Sequence, residues 1–354
     1  MRAIAKASVL LGLVLSCAAT AAEDGVLYVP EGSANQILVL DQASGDMLRR
    51  IEGVPEVHGL SATPNGRLLV AGSFAESAVE GGAPPPKQEG VSADEHAAHH
   101  AMSPGEPQQK AAMVSYVSIV RADDGSIVRQ IAVPGAVHHT AVSPDGRYAV
   151  ATHPSGDGIS LIDLDTFEVT TVATGPLPNY AVISGDGTKV YVSNAGNDTV
   201  SEVDAGRGIV LRNFVVGASP EHLVLAPDGE RLYVANVQDG TVSVVALPEG
   251  QVVQTFEIGG LLHGLDLAND GATLFVSARE ADQVVGIDLR SEAMARRSLS
   301  PQPYHLTADG DQIYVTSAEA PTLWVLDAGS LELVREIPLQ DIGHQVVVAP
   351  APAA

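Results

Sequence analysis

The chain of 354 residues contains one cysteine, one tryptophan and only 4% aromatic residues, and its 19 Lys and Arg are outnumbered by 43 Asp and Glu. A single cysteine excludes an internal disulfide and a multi-thiolate metal site, so a metal would have to be held by His, Met or carboxylates. A formal charge of −24 excludes the basic surface that nucleic-acid binding requires and suits a protein that attracts cations. Trp324 and thirteen Tyr and Phe residues are too few for an aromatic carbohydrate platform. No Gly-x-Ser-x-Gly element, mononucleotide loop or Cys-x-x-Cys-His haem attachment occurs.

Residues 1–22 differ from the rest. Arg2 and Lys6 form a charged start, Ser8 to Ser16 is an apolar stretch too short to span a bilayer, and Ala19-Thr20-Ala21 and Ala21-Ala22 offer small-residue cleavage sites. This reads as a secretory signal peptide, and its removal leaves no transmembrane segment and a chain two charges more negative. Cys17 follows Val14-Leu15-Ser16, which resembles a bacterial lipoprotein box with an unusual Leu before the small residue. Lipidation at Cys17 and an incidental cysteine in a cleaved signal are both open. The location expected is periplasmic or secreted, with a lipid anchor as the variant.

The remainder repeats with a period of about forty residues. Glu221–Val245 (EHLVLAPDGERLYVANVQDGTVSVV), Asn179–Val203 (NYAVISGDGTKVYVSNAGNDTVSEV) and His138–Ile162 (HHTAVSPDGRYAVATHPSGDGISLI) share one pattern. Each reads as an apolar strand, an Asp-Gly turn, an alternating strand, a polar loop and a third strand, with a weaker fourth strand after it. Leu232, Val234, Val242 and Val244 alternate with other residues, as in half-buried strands. Seven units begin at Gly25 and near Val57, Val137, Leu177, Ser219, Leu261 and Pro303. The first lacks its opening strand, and His344–Val348 is a strand left over at the other end. Donating it to the first unit would close a ring and remove the open edge. The expectation is an all-β, seven-bladed β-propeller as one domain over 23–349, followed by a tail over 350–354.

Tyr191-Val192-Ser193-Asn194, Tyr233-Val234-Ala235-Asn236 and Tyr314-Val315-Thr316-Ser317, with Asn197-Asp198-Thr199-Val200 and Asp239-Gly240-Thr241-Val242, resemble the YVTN-repeat propeller family. The resemblance spans nearly the whole chain after the signal. It implies the fold and little about function, since such propellers host catalysis, cofactor binding and scaffolding alike.

Histidines recur at one place in the repeat, at the start of the first strand of each unit. His58, His138 and His344 each precede a proline by six residues, and His263 lies eight before Gly271 as His58 lies eight before Gly66. His139 and His222 are shifted by one, His305 sits in a shortened unit, and the fourth unit has Asn179-Tyr180 in the slot. Because adjacent strand residues point to opposite faces, the strict in-frame set is His58, His138, His263 and His344, with His222 and His305 as additions. In a propeller this position lies beside the central channel, so the imidazoles should meet at its mouth. Imidazole is the commonest protein metal ligand. A structural histidine copied by duplication would give the same recurrence without binding anything.

Unit two carries an insertion, about 74–112, rich in Gly, Pro, Ala, Ser and Gln and expected to be mobile. It includes Asp94-Glu95-His96-Ala97-Ala98-His99-His100-Ala101-Met102. His-rich tracts commonly bind metal, and Met102 adds a thioether suited to copper(I). A solvated polar loop is the plain alternative. His153 occupies the equivalent loop of unit three. Tyr180, Glu221, Arg279, Tyr304 and Glu319 are placed near the same mouth, as acid/base groups or as rim polarity.

Together these features point to a metal-binding propeller, copper first and zinc second, with His58, His138, His139, His222, His263, His305 and His344 at the channel mouth. His153, His96, His99, His100 and Met102 stand as further candidate ligands. Its expected role is handling, delivery or sensing of metal, with another periplasmic protein as partner and catalysis not required. Two other classes stay open. The layout resembles the propeller of nitrous-oxide reductase, which implies a copper oxidoreductase, although this chain lacks the cupredoxin domain. It also resembles the propellers of dissimilatory nitrite reductases and their maturation proteins, which implies haem on a channel-mouth histidine. The third class is a scaffold whose acidic face contacts protein.

Overall fold

Five of the turns between first and second strands follow one design. Gly66, Gly146, Gly187, Gly229 and Gly271 all adopt positive φ between 64° and 72°, a conformation that costs glycine no Cβ clash. The preceding Asn65, Asp145, Asp186, Asp228 and Asp270 each accept the main-chain N–H two residues on, at 2.9–3.1 Å. Turn chemistry therefore accounts for the recurring Asp-Gly pairs.

In the computed structural model, which describes residues 25–78 and 113–352, these turns join antiparallel strands into seven sheets. The chain is a seven-bladed β-propeller. Blade 1 is Val347–Ala349, Val26–Glu31, Gln36–Asp41 and Met47–Glu52; blade 2 begins with Val57–Ala62, blade 3 with Thr140–Val142, blade 4 with Pro178–Ile183, blade 5 with Pro220–Leu225, blade 6 with Leu262–Leu267 and blade 7 with Pro303–Asp309. The first strands touch their counterparts in both neighbouring blades all the way round, so they line the central channel.

Ring closure follows the expected route. Val347–Ala349 pairs with Val26–Tyr28 of blade 1. Glu31, fully buried, clamps the same seam: its carboxylate accepts the main-chain N–H groups of Gln340 and Asp341, each at 2.9 Å, and the Gln36 amide at 2.6 Å.

Seven apolar clusters lie between the blades, one for each neighbouring pair. Leu232 and Val234 face blade 4, while Tyr233 and Ala235 on the same strand face blade 6. The second strands are thus buried on both faces rather than half-buried, because each blade is sandwiched between two others. A fully buried aliphatic side chain contributes about 1.5–3 kcal/mol and a turn hydrogen bond about 1 kcal/mol. The contacts between blades therefore dominate the stability.

The signal segment and Cys17 lie outside the described residues, as do His96, His99, His100 and Met102. Of the insertion, Ser77–Ala78 pairs with Met113–Val114, so its stem extends the sheet of blade 2.

Candidate metal centre at the channel mouth

The site begins with a backbone irregularity. In five of the first strands the ladder to the second strand skips two residues: 58–59, 179–180, 221–222, 263–264 and 304–305. A bulge of this kind re-aims side chains that strict alternation would send to opposite faces. This is why histidines in two sequence frames meet. His58, His263 and, by alignment, His138 and His344 hold the first of the two positions; His222, His305 and His139 hold the second.

The second strands pin these bulges from the neighbouring blade. Thr152 Oγ1 donates to Asn179 O at 2.8 Å, Ser193 Oγ to Glu221 O at 2.5 Å and Thr316 Oγ1 to His344 O at 3.0 Å; Ser277 Oγ donates to Tyr304 O. The fifth residue of these second strands, which in Tyr191-Val192-Ser193 and Tyr314-Val315-Thr316 is the third of the motif, thereby fixes the backbone that carries the next blade's site residues. Where the second position is glycine, the neighbouring backbone fills the space. A Cβ on Gly264 would stand 2.6 Å from Leu306 N and Tyr304 O.

Six histidines from six blades converge in two groups. His58, His138 and His344 come from the consecutive blades 2, 3 and 1, and His222, His263 and His305 from blades 5, 6 and 7. In each group the ligating nitrogens lie within 4.8 Å of one another, and all six residues are buried. Ring centroids of His58 and His344 are 3.5 Å apart, those of His222 and His305 4.3 Å and those of His222 and His263 4.4 Å. His305 and His344, in different groups, are separated by only 4.6 Å.

Hydrogen bonds orient the rings. His138 Nδ1–H donates to Asn179 O at 3.2 Å and His344 Nδ1–H to His58 O at 3.1 Å. Glu221 Oε2 lies 3.2 Å from His263 Nδ1, with both side chains buried. An acceptor on Nδ1 keeps the proton there and leaves Nε2 as the lone-pair donor, the usual arrangement behind a metal-bound imidazole.

Charge is unfavourable for protons here. Two imidazolium ions about 4 Å apart repel by about 4 kcal/mol at an effective dielectric of 20. Burial first, and then His222, His344, His139 and His138, hold His305 well below the ordinary imidazole range. Burial, then His222 and His138, does the same to His139. His305 and His139 are therefore neutral near pH 7. Burial pushes the hydroxyls of Tyr180 and Tyr304 up, so both are protonated phenols.

Two of the expected ligands fall elsewhere. The His139 ring stacks on Tyr180 at 3.5 Å and its Nδ1 accepts the Ala181 N–H at 3.4 Å. With Nδ1 as acceptor the proton sits on Nε2, and His139 joins neither group. It braces Tyr180, which fills the blade 4 gap and reaches His222 at 4.4 Å between centroids. His153 is a core residue of blade 3: Nε2 meets Ser160 Oγ at 2.8 Å and Nδ1 meets Ala136 O at 3.3 Å. Its counterparts are Asn194 and Asn236, which bond Ser201 and Ser243 in the same way. His153 thus takes the structural Asn place of the repeat. The sequence placed it on the right loop but could not show that its ring turns into the blade.

Other members were missed or named without a partner. Phe74 covers His58 at 4.6 Å between centroids. Tyr304 stacks on His263 at 3.6 Å, and the Arg279 guanidinium lies 5.8 Å above Tyr304. Glu221 had been placed near the mouth without a partner; it backs His263.

The comparisons agree on the fold. The family described as Lactonase, 7-bladed beta-propeller matches residues 174–319. No curated protein sequence matches the chain. Among solved structures, hydrazine synthase of Kuenenia stuttgartiensis is 17% identical, with a TM-score of 0.67 over 84% of this chain and 90% of that one. A 6-phosphogluconolactonase candidate from Bacteroides fragilis is 15% identical, with a TM-score of 0.71 over 93% and 99%. A protein of unknown function from Desulfotomaculum acetoxidans is 12% identical, with a TM-score of 0.69 over 92% and 98%. At these identities the likeness is one of fold. The expected propeller is borne out; the YVTN likeness rests on the sequence motifs and the nitrous-oxide reductase likeness on the histidine layout.

Proposed function

We propose that this protein is a metal-binding propeller that holds copper or zinc at its channel mouth and serves metal handling or delivery in the periplasm, as a soluble or lipid-anchored protein. The observation that carries this reading is the pair of buried three-histidine groups, each with its ligating nitrogens within 4.8 Å. Three imidazoles with one position left over match the ligand count of sites that exchange a fourth ligand. Nitrogens bound to one tetrahedral ion at about 2.0–2.1 Å lie about 3.3 Å apart, so at most about 1.5 Å of closure is needed, within reach of side-chain torsions. The close approach of the rings favours a bare ion over haem. Among the described residues no helix is long and apolar enough to cross a membrane.

The test is metal analysis of protein taken from its native compartment, followed by titration of the metal-free form. Stoichiometric copper or zinc bound at micromolar affinity or tighter, and lost when the six histidines are replaced, is the expected result. No such binding in the wild type would overturn the reading.

The match to the lactonase family over 174–319 favours a second reading, hydrolysis of a lactone with Glu221 beside the site as the base. Turnover of a lactone panel by the metal-loaded protein, abolished in Glu221→Gln, would support it. Inactivity of the metal-loaded wild type across the panel would remove it.

A further inference from the structure

The entry to five of the first strands is held by the blade before it. The main-chain N–H groups of Glu56, Ala136, Leu177, Ser219 and Gln302 donate to the side chains of Asn35, Glu76, Asp157, Asp198 and Asp282, at 2.6–3.4 Å. Each donor lies two residues before the first site position of its strand: His58, His138, Asn179, Glu221 and Tyr304. Four of the held residues have positive φ without being glycine: Glu56 at 37°, Leu177 at 50°, Ser219 at 53° and Gln302 at 38°. A residue with a Cβ stays in that region only where its surroundings impose it. These clamps therefore fix the direction from which the channel-mouth side chains arrive.

In four clamps the acceptor belongs to the loop between second and third strands and has positive φ itself: Asn35, Asp157, Asp198 and Asp282. The fifth is different. Glu76 stands in the stem of the blade 2 insertion, just before Ser77–Ala78. Its Oε1 accepts the Ala136 N–H at 2.6 Å and the Ser155 hydroxyl as well. The flanking N–H groups end on the same stem: Gly135 donates to Met113 O at 3.0 Å and Val137 to Ser73 O at 2.8 Å. All three N–H groups that lead into His138 are thus held by residues 73–76 and 113. Phe74 in this stem donates its N–H to Glu56 O at 2.9 Å, two residues before His58. Its ring lies 4.6 Å from that of His58 and 6.2 Å from that of His138. Any displacement of the stem must disturb the approach to two of the three histidines of the first group.

Resting on the metal-binding reading above, we propose that ion binding at His58, His138 and His344 and docking of the insertion stem are reciprocally coupled, with Glu76 as the positioning residue that links them. An ion that holds His138 also holds residues 135–137 and the stem bonded to them. A docked stem in turn holds His138 in place for the ion. Linkage makes the two effects equal in size. His222 and His305 are approached through the clamps of Asp198 and Asp282, so the second group lies outside this coupling.

The experiment uses the full chain and zinc(II) in two backgrounds. His305→Ala leaves the first group to bind, and His138→Ala leaves the second. In His305→Ala, zinc should slow hydrogen exchange of the Ala136 amide by about 5-fold or more. Glu76→Ala should weaken zinc binding in that background by a comparable factor, and Glu76→Gln, which keeps Oε1 as an acceptor, should restore it. In His138→Ala, Glu76→Ala should leave zinc affinity unchanged, whereas a merely structural role for Glu76 would weaken binding in both backgrounds. The exchange measurement needs no substitution at Glu76, so it decides the matter even where Glu76→Ala fails to fold. Equal weakening in both backgrounds, weakening in neither, failure of Glu76→Gln to restore binding, or exchange at Ala136 indifferent to zinc would each overturn the coupling and leave metal binding standing. Absence of any zinc uptake by the wild type would overturn metal binding itself.

Discussion

His222 Nε2 and His305 Nε2 lie 3.2 Å apart, although they come from blades 5 and 7 with blade 6 between them. That separation is close to the spacing of about 3.3 Å expected for two nitrogens on one tetrahedral ion. In the metal-free protein one of the two must donate to the other, or two lone pairs face each other. Metal should therefore stabilise the fold: with free zinc 100-fold above its dissociation constant, stability to denaturant should rise by about 2.7 kcal/mol per site. His222→Ala combined with His305→Ala should abolish the second site's share, as read from unfolding curves with and without zinc.

His153 offers a control in the opposite direction. If it occupies the structural Asn place of the repeat, His153→Asn should stay within about 1 kcal/mol of the wild type. His153→Ala, which strips Ser160 of its buried partner, should cost about 1–3 kcal/mol. Neither should change zinc stoichiometry. A loss of bound zinc in His153→Asn would return this residue to the site.

Gly264 couples backbone packing to the site. A methyl group there meets the backbone of residues 304–306 at 2.6 Å and must push the bulge that carries His305. Gly264→Ala should destabilise the domain by about 1–3 kcal/mol and weaken zinc binding at the second group more than at the first. Calorimetry and denaturation on the same sample check both.

Acid should destabilise the metal-free domain, and the sign follows from the histidines. A histidine whose folded pKa is depressed costs nothing above about pH 6.5, where both states are neutral; below it the unfolded chain takes up protons that the fold refuses. His153, lowered to about 4 mainly by burial, removes about 3 kcal/mol between pH 6.5 and 4. Asp266, pushed up to about 6 by burial, opposes this between 3.8 and 6, because the fold there holds a proton that the unfolded chain loses. His139 and His305, both driven well below the usual range, tip the balance. Stability measured by denaturant should be flat from pH 8 to about 6.5 and then fall steadily; a rise on acidification would contradict neutral His139, His153 and His305.

Much of the fold was legible because its devices are local. Each Asp-Gly pair specifies its own turn, and the unclaimed strand at His344–Val348 pointed to the ring closure. The site was legible as a position in the repeat, not as a geometry. Strict alternation separated His58, His138, His263 and His344 from His222 and His305, and the bulges that reunite them leave no mark on the apolar pattern. The hydroxyls of Ser193 and Thr316 were visible as part of the Tyr-Val-Ser/Thr motif, but their partners lie in the next blade. Whether a histidine turns into the channel, as His344 does, or into the blade, as His153 does, depends on such cross-blade contacts.

The most direct test of the central claim is the X-ray absorption fine structure of zinc in the loaded domain. Metal at the channel mouth predicts a first shell dominated by imidazole, about three nitrogens per ion at about 2.0–2.1 Å, lost when both histidine groups are replaced. A shell of carboxylate and water oxygens without imidazole scattering, unchanged by those replacements, would place the metal on the acidic surface and contradict the account.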